Sequence, residues 1–118
     1  ETLLLIAVVN VMENAVKYTP TTQTVNAIIR LAAGEVILEV SDQGVGINEE
    51  DLKHVFVPFF RAENVRSIAG HGIGLPLAER VLKLHKGRIL VESVINKGTK
   101  VTIKLPQAYH FIPFGTKF

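Results

Sequence analysis

The sequence of 118 residues contains no cysteine. Neither a disulfide framework nor a thiolate metal site is therefore possible, and cysteine usage gives no indication of a redox compartment. The formal net charge is only +2, which is too small to predict binding to nucleic acid or attraction to a membrane surface. No apolar run approaches the length of a bilayer span, since the longest extends only from Leu3 to Val9.

The length is that of one domain, and an apolar fraction of 47% is enough to build a core without cross-links. The first apolar run lacks the flanks of a signal peptide, so we expect an intracellular, soluble domain. Because the chain begins two residues before this run and without an initiator methionine, we expect it to be part of a longer protein.

Hydrophobic periodicity predicts the element order α, β, β, α, loop, α, β, β. In the first half we expect a helix over about 2–18, a hairpin over 24–42 turning near Gly34, and a short helix from the N-cap Asn48 to near Phe56. In the second half we expect an irregular, mobile segment over 57–74, a helix that has Pro76 in its first turn and runs to about Lys86 with Gly87 at C′, and a hairpin over 88–106 turning at Asn96, Lys97 and Gly98. The fold class predicted from this order is α+β, a two-layer α/β sandwich with the three helices on one face of the sheet.

The first helix carries three polar side chains, Asn10, Asn14 and Lys17, at positions i, i+4 and i+7. One interpretation is a solvated stripe. The other is a binding site, because amide oxygens suit a hard cation and a lysine suits phosphate. Glu13 lies about 100° around the helix from Asn14, so we expect it at the edge of any such site.

The stretch DQGVGI follows the second predicted strand and contains Asp42, Gly44 and Gly46. A carboxylate held at a strand end accepts a hydrogen bond from an exocyclic amine, such as that of adenine. The two glycines leave space where a ligand could approach the backbone. A simple glycine turn explains the same residues, so both interpretations stay open.

A second glycine-rich stretch, GHGIGL, precedes the third predicted helix with glycines at 70, 72 and 74. Backbone amides at such a position bind phosphate, although a flexible hinge has the same composition. The stretch is not a Walker loop, since no Gly-Lys-Ser/Thr occurs in the chain. It is not a dinucleotide fingerprint either, because position 77 is leucine.

Two further features complete the set of candidates. In FVPFFR we expect Phe56 to pack in the core and Arg61 to reach a phosphate. Thr99 follows Gly98, and its hydroxyl is expected beside Asp42 if both hairpins share one sheet; otherwise it is simply a strand former.

In order and spacing, these features resemble the catalytic ATP-binding domain of sensor histidine kinases, in the superfamily shared with gyrase, heat-shock protein 90 and the mismatch-repair ATPases. The resemblance covers residues 2–106, with a Bergerat-type fold and a mixed, mostly antiparallel sheet; it leaves 107–118 as a tail of unknown role. The matching motifs are an N box (Asn10, Asn14, Lys17, Tyr18), a first glycine box (Asp42, Gly44, Gly46), a phenylalanine box (Phe56, Pro58, Phe59, Phe60, Arg61), a second glycine box (Gly70, Gly72, Gly74, Leu75) and a closing Gly98-Thr99. His71 and Pro76 depart from the pattern of many relatives.

The resemblance implies that the domain binds ATP and Mg²⁺ and that residues 57–74 form an ATP lid. Asn14, helped by Asn10, would hold the metal, while Lys17 and Arg61 would contact phosphates. The remaining nucleotide contacts would come from Asp42 at the adenine amine, Thr99 through water, Tyr18 near the base or ribose, and the glycine-box residues Gly44, Gly46, Ile47, Gly70, His71, Gly72, Gly74 and Leu75.

Hydrolysing members of the superfamily resemble one another in a glutamate one turn before the metal-binding Asn, where this chain has Asn10. An amide cannot act as the base for water, so we expect phosphoryl transfer rather than hydrolysis; Glu13 is a substitute base with a poor helical direction. None of the four histidines is followed by an acid, as in the acceptor motif: they precede Val55, Gly72, Lys86 and Phe111.

We therefore expect the acceptor histidine on a separate dimerisation domain of the same protein, with a response regulator downstream. The parent protein would be cytoplasmic or anchored in the inner membrane, and the piece itself monomeric. Two alternatives remain open: a nucleotide-binding regulatory module without transfer activity, and a serine kinase of the anti-sigma type.

Overall fold

Two hairpins and three helices make up the computed structural model, which describes residues 2–17, 24–58 and 74–106. The order of elements is the predicted one. The elements are α1 (Thr2–Lys17), β1 (Val25–Ala32), β2 (Glu35–Asp42), α2 (Glu49–Leu52), α3 (Gly74–Leu84), β3 (Arg88–Val94) and β4 (Gly98–Pro106). No helix within these ranges is both long and apolar enough to cross a membrane.

The four strands form one sheet in the order β1-β2-β4-β3. Each hairpin pairs its own strands, and the two hairpins join through β2 and β4. All three pairings are antiparallel, so the described strands contain no parallel pair where a mixed sheet was expected. The first hairpin turns at Ala33 and Gly34, both with positive φ (53° and 76°), as a two-residue type I′ turn requires.

The register divides the sheet into two faces, which we call the helix-side face and the outer face. The helix-side face contains Val40, Val101 and Ile103, which form the core with α1 and α3. Helix α1 contributes side chains one turn apart, and α3 contributes an apolar stripe; the buried residues are Ala7, Val11, Ala15, Leu75, Ala78, Val81 and Leu82. The predicted two-layer arrangement, with helices packed against one face of the sheet, is therefore confirmed.

The outer face carries charged side chains over a few buried ones. Ile37 and Thr102 are only 4% and 5% exposed there. Around them, Arg88 forms an ion pair with Glu35 at 3.0 Å, and Glu39 lies 3.4 Å from both Arg30 and Lys100. Such exposed ion pairs contribute little stability individually.

The N-cap prediction for α2 is confirmed, because the Asp51 amide donates to Asn48 Oδ1 at 2.8 Å. The predicted end near Phe56 is wrong, since the helix ends at Leu52. Beyond it the hydrogen bonds span three residues rather than four, as from the Val57 amide to the His54 carbonyl at 2.9 Å. The chain continues as successive turns, which apolar periodicity cannot distinguish from a helix.

Helix α3 begins at Gly74, so Pro76 lies in the first turn as predicted, where its missing N–H costs no helical hydrogen bond. The helix ends at Leu84 rather than near Lys86. The assignment of Gly87 to C′ is also wrong. Lys86 has the left-handed φ of 61°, and the Gly87 amide donates to the Leu82 carbonyl at 2.7 Å, which places Gly87 at C″ of a Schellman motif.

Gly87 has a different structural role. A Cβ at this position would lie 2.7 Å from both the Lys104 carbonyl oxygen and the Leu105 side chain. Glycine is therefore required because the end of α3 approaches β4 closely. The second hairpin turns over residues 95–97, one position earlier than predicted, with Asn96 at a φ of 64°.

Candidate functional site

Three polar residues lie side by side across the end of the sheet. Asp42 on β2 is opposite Thr99 on β4, and Thr99 is opposite Ser93 on β3. Each lies two residues along its own strand from a position that packs in the core, so all three share the helix-side face; these positions are Val40, Val101 and Val91. The apolar core thus gives way to a polar row where the strands meet the first glycine box.

The Asp42 carboxylate is held by two backbone amides. Its Oδ1 accepts from the Gly44 amide at 2.8 Å and from the Thr99 amide at 3.3 Å. The two hairpins do share one sheet, which places Thr99 opposite Asp42, but the group that reaches the carboxylate is the Thr99 amide, whereas the hydroxyl that was predicted there contacts Ser93 Oγ at 2.7 Å. Two donors on one oxygen fix the direction of the carboxylate, which fits recognition of an amino group such as that of adenine.

Gly98 makes this pairing possible. Its φ is +129°, and a Cβ there would lie 2.0 Å from the Asp42 carbonyl oxygen. Any larger residue would separate β4 from β2 at the position where the Thr99 amide reaches Asp42. The Gly98-Thr99 pair therefore acts as a unit, with the glycine allowing the approach and the threonine using it.

Gly46 is needed for a reason that differs from the predicted one. Its φ is +72°, and a Cβ at this position would lie 2.1 Å from the Val94 carbonyl oxygen. The space that was expected to admit a ligand at this residue is filled by the backbone of β3. Gly44 is also buried, and its amide contributes to the site by donating to Asp42.

The first glycine box is attached to the β3–β4 hairpin at two further points. The Asn96 amide donates to the Val45 carbonyl at 2.7 Å, and the Ile47 amide donates to Ser93 Oγ at 2.7 Å. The loop over 42–47 is thus bound along its length to neighbouring strands. This arrangement preorganises Asp42 before any ligand arrives.

The sequence interpretation missed Ser93, although the strand pattern contains a signal for it. In β3 the core-facing positions are Ile89 and Val91, and position 93 continues the same alternation. A serine there interrupts the apolar series at the point where the polar row begins. A polar residue at a core-facing strand position therefore indicates a candidate site, as a glycine motif does.

On α1, the predicted polar row borders the buried stripe. Asn10 is half-buried and directly precedes the fully buried Val11, whereas Val9 and Glu13 are exposed. Glu13 at the exposed edge agrees with its expected direction. Asn14 and Lys17 belong to α1, but their side chains lie outside the described part, as do Tyr18, Arg61, Gly70, His71 and Gly72.

The remaining described candidates are Phe56, which follows α2, and Gly74 and Leu75, which begin α3. Phe56 is half-buried against the core, as predicted. Gly74 is the first residue of α3, and Leu75 is buried in the core at 7% exposure. Leu75 therefore packs α3 onto the core, which positions the end of the second glycine box. The predicted lid over 57–74 falls mostly outside the described residues.

Glu39 lies on the outer face, where its neighbours shift its pKa. Partial burial raises its pKa, but hydrogen bonds from Arg30 and Lys100 and their positive charges outweigh this and hold the pKa below its ordinary value. Because Glu39 precedes Asp42 by three residues, its side chain lies on the opposite face from the polar row. Its titration is thus separate from the candidate site.

Comparison with known proteins shows the family to which the chain belongs. Residues 1–109 match the family described as histidine kinase-, DNA gyrase B-, and HSP90-like ATPase. The chain is 38% identical over 101 residues to the sensor protein RprX of Bacteroides fragilis, covering 82% of this chain and 20% of RprX. It is 37% identical over 115 residues to the sensor-like histidine kinase SenX3 of Mycobacterium tuberculosis, covering 93% of this chain and 28% of SenX3.

Solved structures agree with these relatives. The mycobacterial sensor histidine kinase MprB superposes with a TM-score of 0.78 at 34% identity, covering 86% of this chain and 70% of that one. The catalytic domain of histidine kinase ThkA, in a nucleotide-free form, gives a TM-score of 0.75 over 90% of this chain and 67% of that one. At 24% identity the second match supports the fold alone.

The fold and the ordered motifs define an ATP-binding domain of the Bergerat type. The chain belongs to the family of histidine kinase-, DNA gyrase B- and HSP90-like ATPases, and it is of the sensor histidine kinase type within that family. It spans only 20% and 28% of the length of RprX and SenX3, respectively.

Proposed function

We propose that the chain binds Mg²⁺-ATP and presents the γ-phosphate to a histidine on a separate dimerisation domain of the same sensor kinase. The observation that carries this proposal is the Asp42 carboxylate, which two backbone amides fix at the end of the sheet. A carboxylate in this position accepts a hydrogen bond from an amino group, and the adenine of ATP has one. The naming of the relatives as sensor histidine kinases supports the same conclusion.

The phosphate end of the pocket is assigned to α1 and the segment around Arg61. Asn14, helped by Asn10, would hold Mg²⁺ through amide oxygens, and Lys17 and Arg61 would contact phosphate oxygens. The half-buried Asn10, next to the buried stripe of α1, supports a pocket-facing position over a fully solvated stripe. Tyr18 and the glycines of the second box would complete the contacts. When bound, Mg²⁺-ATP supplies the phosphoryl group and neutralises its charge.

Transfer is favoured over hydrolysis because of Asn10. An amide at this position cannot remove a proton from water at neutral pH, so the helix offers metal binding without a base. Glu13 is exposed on another side of α1, which argues against its serving as a substitute. Positioning and charge neutralisation account for most of the catalysis of phosphoryl transfer, and the site provides both without a base.

The partners follow from the same assignment. The acceptor histidine would lie on a dimerising helix pair outside this chain, and a response regulator would receive the phosphoryl group next. The chain itself would be monomeric and cytoplasmic, with the parent protein anchored in the inner membrane in the manner of a sensor kinase. No role for nucleic acid is proposed, since the net charge is only +2.

The test is to mix the purified chain with Mg²⁺-ATP labelled at the γ-phosphate and the dimerisation domain encoded by the same gene. We expect label on that domain that is lost in acid and stable in base, as a phosphohistidine is. Acid-stable label would instead indicate a serine kinase of the anti-sigma type. ATP binding without any label would indicate a regulatory module, and a control with the acceptor histidine replaced by glutamine must remain unlabelled.

A further inference from the structure

The Ser93 hydroxyl makes three close polar contacts. Its Oγ lies 2.7 Å from the Ile47 amide nitrogen, 2.9 Å from the Gly98 carbonyl oxygen and 2.7 Å from Thr99 Oγ1. The side chain thus joins the first glycine box to the hairpin that carries Thr99. None of the ATP-binding motifs named above includes this residue.

The proton count at Ser93 decides the direction of these bonds. An amide can only donate and a carbonyl can only accept, so Ser93 accepts from Ile47 and donates its single proton to Gly98. The contact with Thr99 is then satisfied only if the Thr99 hydroxyl donates to Ser93. If Ser93 instead donated its proton to Thr99 Oγ1, no hydrogen would remain between Ser93 Oγ and the Gly98 carbonyl oxygen, which lie 2.9 Å apart.

With its proton directed to Ser93, the Thr99 oxygen has only lone pairs for other contacts. Thr99 is opposite Asp42 in the register, and its amide donates to the same carboxylate. The polar row therefore presents two acceptors, the Asp42 carboxylate and the Thr99 hydroxyl oxygen. Where both face the substituent at position 6 of a purine, two adjacent acceptors favour an amino group there and disfavour a carbonyl in its place.

We propose that Ser93 is a positioning residue for base selectivity: it fixes the Thr99 hydroxyl as an acceptor and so favours a 6-amino purine over a 6-oxo purine. This inference rests on the proposed ATP-binding function and deepens it. Ser93 acts through Thr99, and it also keeps the Ile47 end of the glycine box in place. Loss of Ser93 would release the Thr99 proton, allowing that hydroxyl to donate to a carbonyl.

The test compares two probes, ATP and inosine triphosphate, which carries an oxo group where ATP has the amino group. Calorimetric titration in the presence of Mg²⁺ gives the ratio of their affinities. We expect Ser93→Ala to lower the preference for ATP about fivefold, in line with the net contribution of one hydrogen bond. Ser93→Thr retains the hydroxyl and should restore the preference.

Two other variants control this result. Ser41→Ala removes a half-buried strand hydroxyl on the outer face and should leave the ratio unchanged. Thr99→Val removes the acceptor itself, so it should lower the ratio as Ser93→Ala does. Because both act on one contact, the double variant should lose little beyond either single variant. Thr99→Val keeps the test valid if Ser93→Ala fails to fold.

The outcomes are separable. If the wild-type chain binds ATP and Ser93→Ala weakens ATP and inosine triphosphate equally, Ser93 is only a structural tie and the inference is overturned. An additive double variant would overturn it as well, since two independent contacts would then be involved. If the wild-type chain binds neither nucleotide, the proposed function fails, and the inference fails with it.

Discussion

The backbone amide of Thr99 donates to Asp42 Oδ1 over 3.3 Å, and the two residues lie directly opposite each other on β4 and β2. They are separated by 57 positions in the sequence. Their proximity depends on the joining of the two hairpins through their second strands, and on a glycine next to Thr99. The pairing therefore connects the topology of the sheet to the recognition of the nucleotide that we propose.

Gly98→Ala tests this connection. The new Cβ would lie 2.0 Å from the Asp42 carbonyl oxygen at a φ of +129°, so β4 must move away from β2. We expect a loss of about 3 kcal/mol in the free energy of unfolding, measured with urea, and weaker ATP binding.

Gly34→Ala is the matched control for that variant. Gly34 also has a positive φ, +76°, but a Cβ there meets nothing within 4 Å. We expect the free energy of unfolding to fall by only about 1 kcal/mol, the cost of a left-handed backbone conformation, and the ATP affinity to stay unchanged. Equal destabilisation by both variants would mean that the close approach at Asp42 contributes nothing beyond backbone strain.

Asn10→Glu tests the separation of transfer from hydrolysis. The wild-type chain should release phosphate from ATP very slowly, because the amide cannot accept a proton from water. A carboxylate at this position should raise steady-state release by about tenfold or more. Asn10→Gln is the control, since it lengthens the side chain without supplying a base. Rapid release by the wild-type chain would contradict the assignment as a transferase domain.

Glu39 should make stability depend on pH in the acid range. Its pKa in the folded state lies below the ordinary value of 4.5, so its contribution is present above that value and is lost as pH falls through the lowered pKa. The difference in unfolding free energy between wild type and Glu39→Gln should therefore shrink on acidification. High salt should reduce the same difference at neutral pH, since the ion pairs are partly exposed. A difference independent of pH would mean that the ion pairs add no stability.

Much of the fold could be predicted because it depends on local patterns. The alternation in β2 and β4, the cap at Asn48 and the order of elements follow from side-chain period and turn chemistry. The row of Asp42 and Thr99 could also be predicted, but only on the condition that the hairpins share a sheet. Whether the two hairpins join into one sheet depends on contacts between distant residues, which no local sequence pattern shows.

The errors have a common physical origin. Gly46 was expected to leave space for a ligand and Gly87 was placed at C′ of a helix, whereas the missing Cβ of each allows a close approach to another strand and Gly87 lies at C″. A glycine in a sequence shows that a Cβ is absent, but the atom that occupies its place is set by tertiary contacts. Ser93 was missed for the same reason, because its partners Ile47 and Thr99 come from two other segments.

The most direct test of the account is calorimetric titration of the Asp42→Asn variant with Mg²⁺-ATP. The amide oxygen can still accept from the Gly44 amide, so the variant should fold with a thermal midpoint close to that of the wild type. Its amino group would face the amino group of adenine, and we expect the affinity to fall about a hundredfold. A folded Asp42→Asn variant that binds ATP as tightly as the wild type would contradict the assignment of Asp42 to the adenine amine.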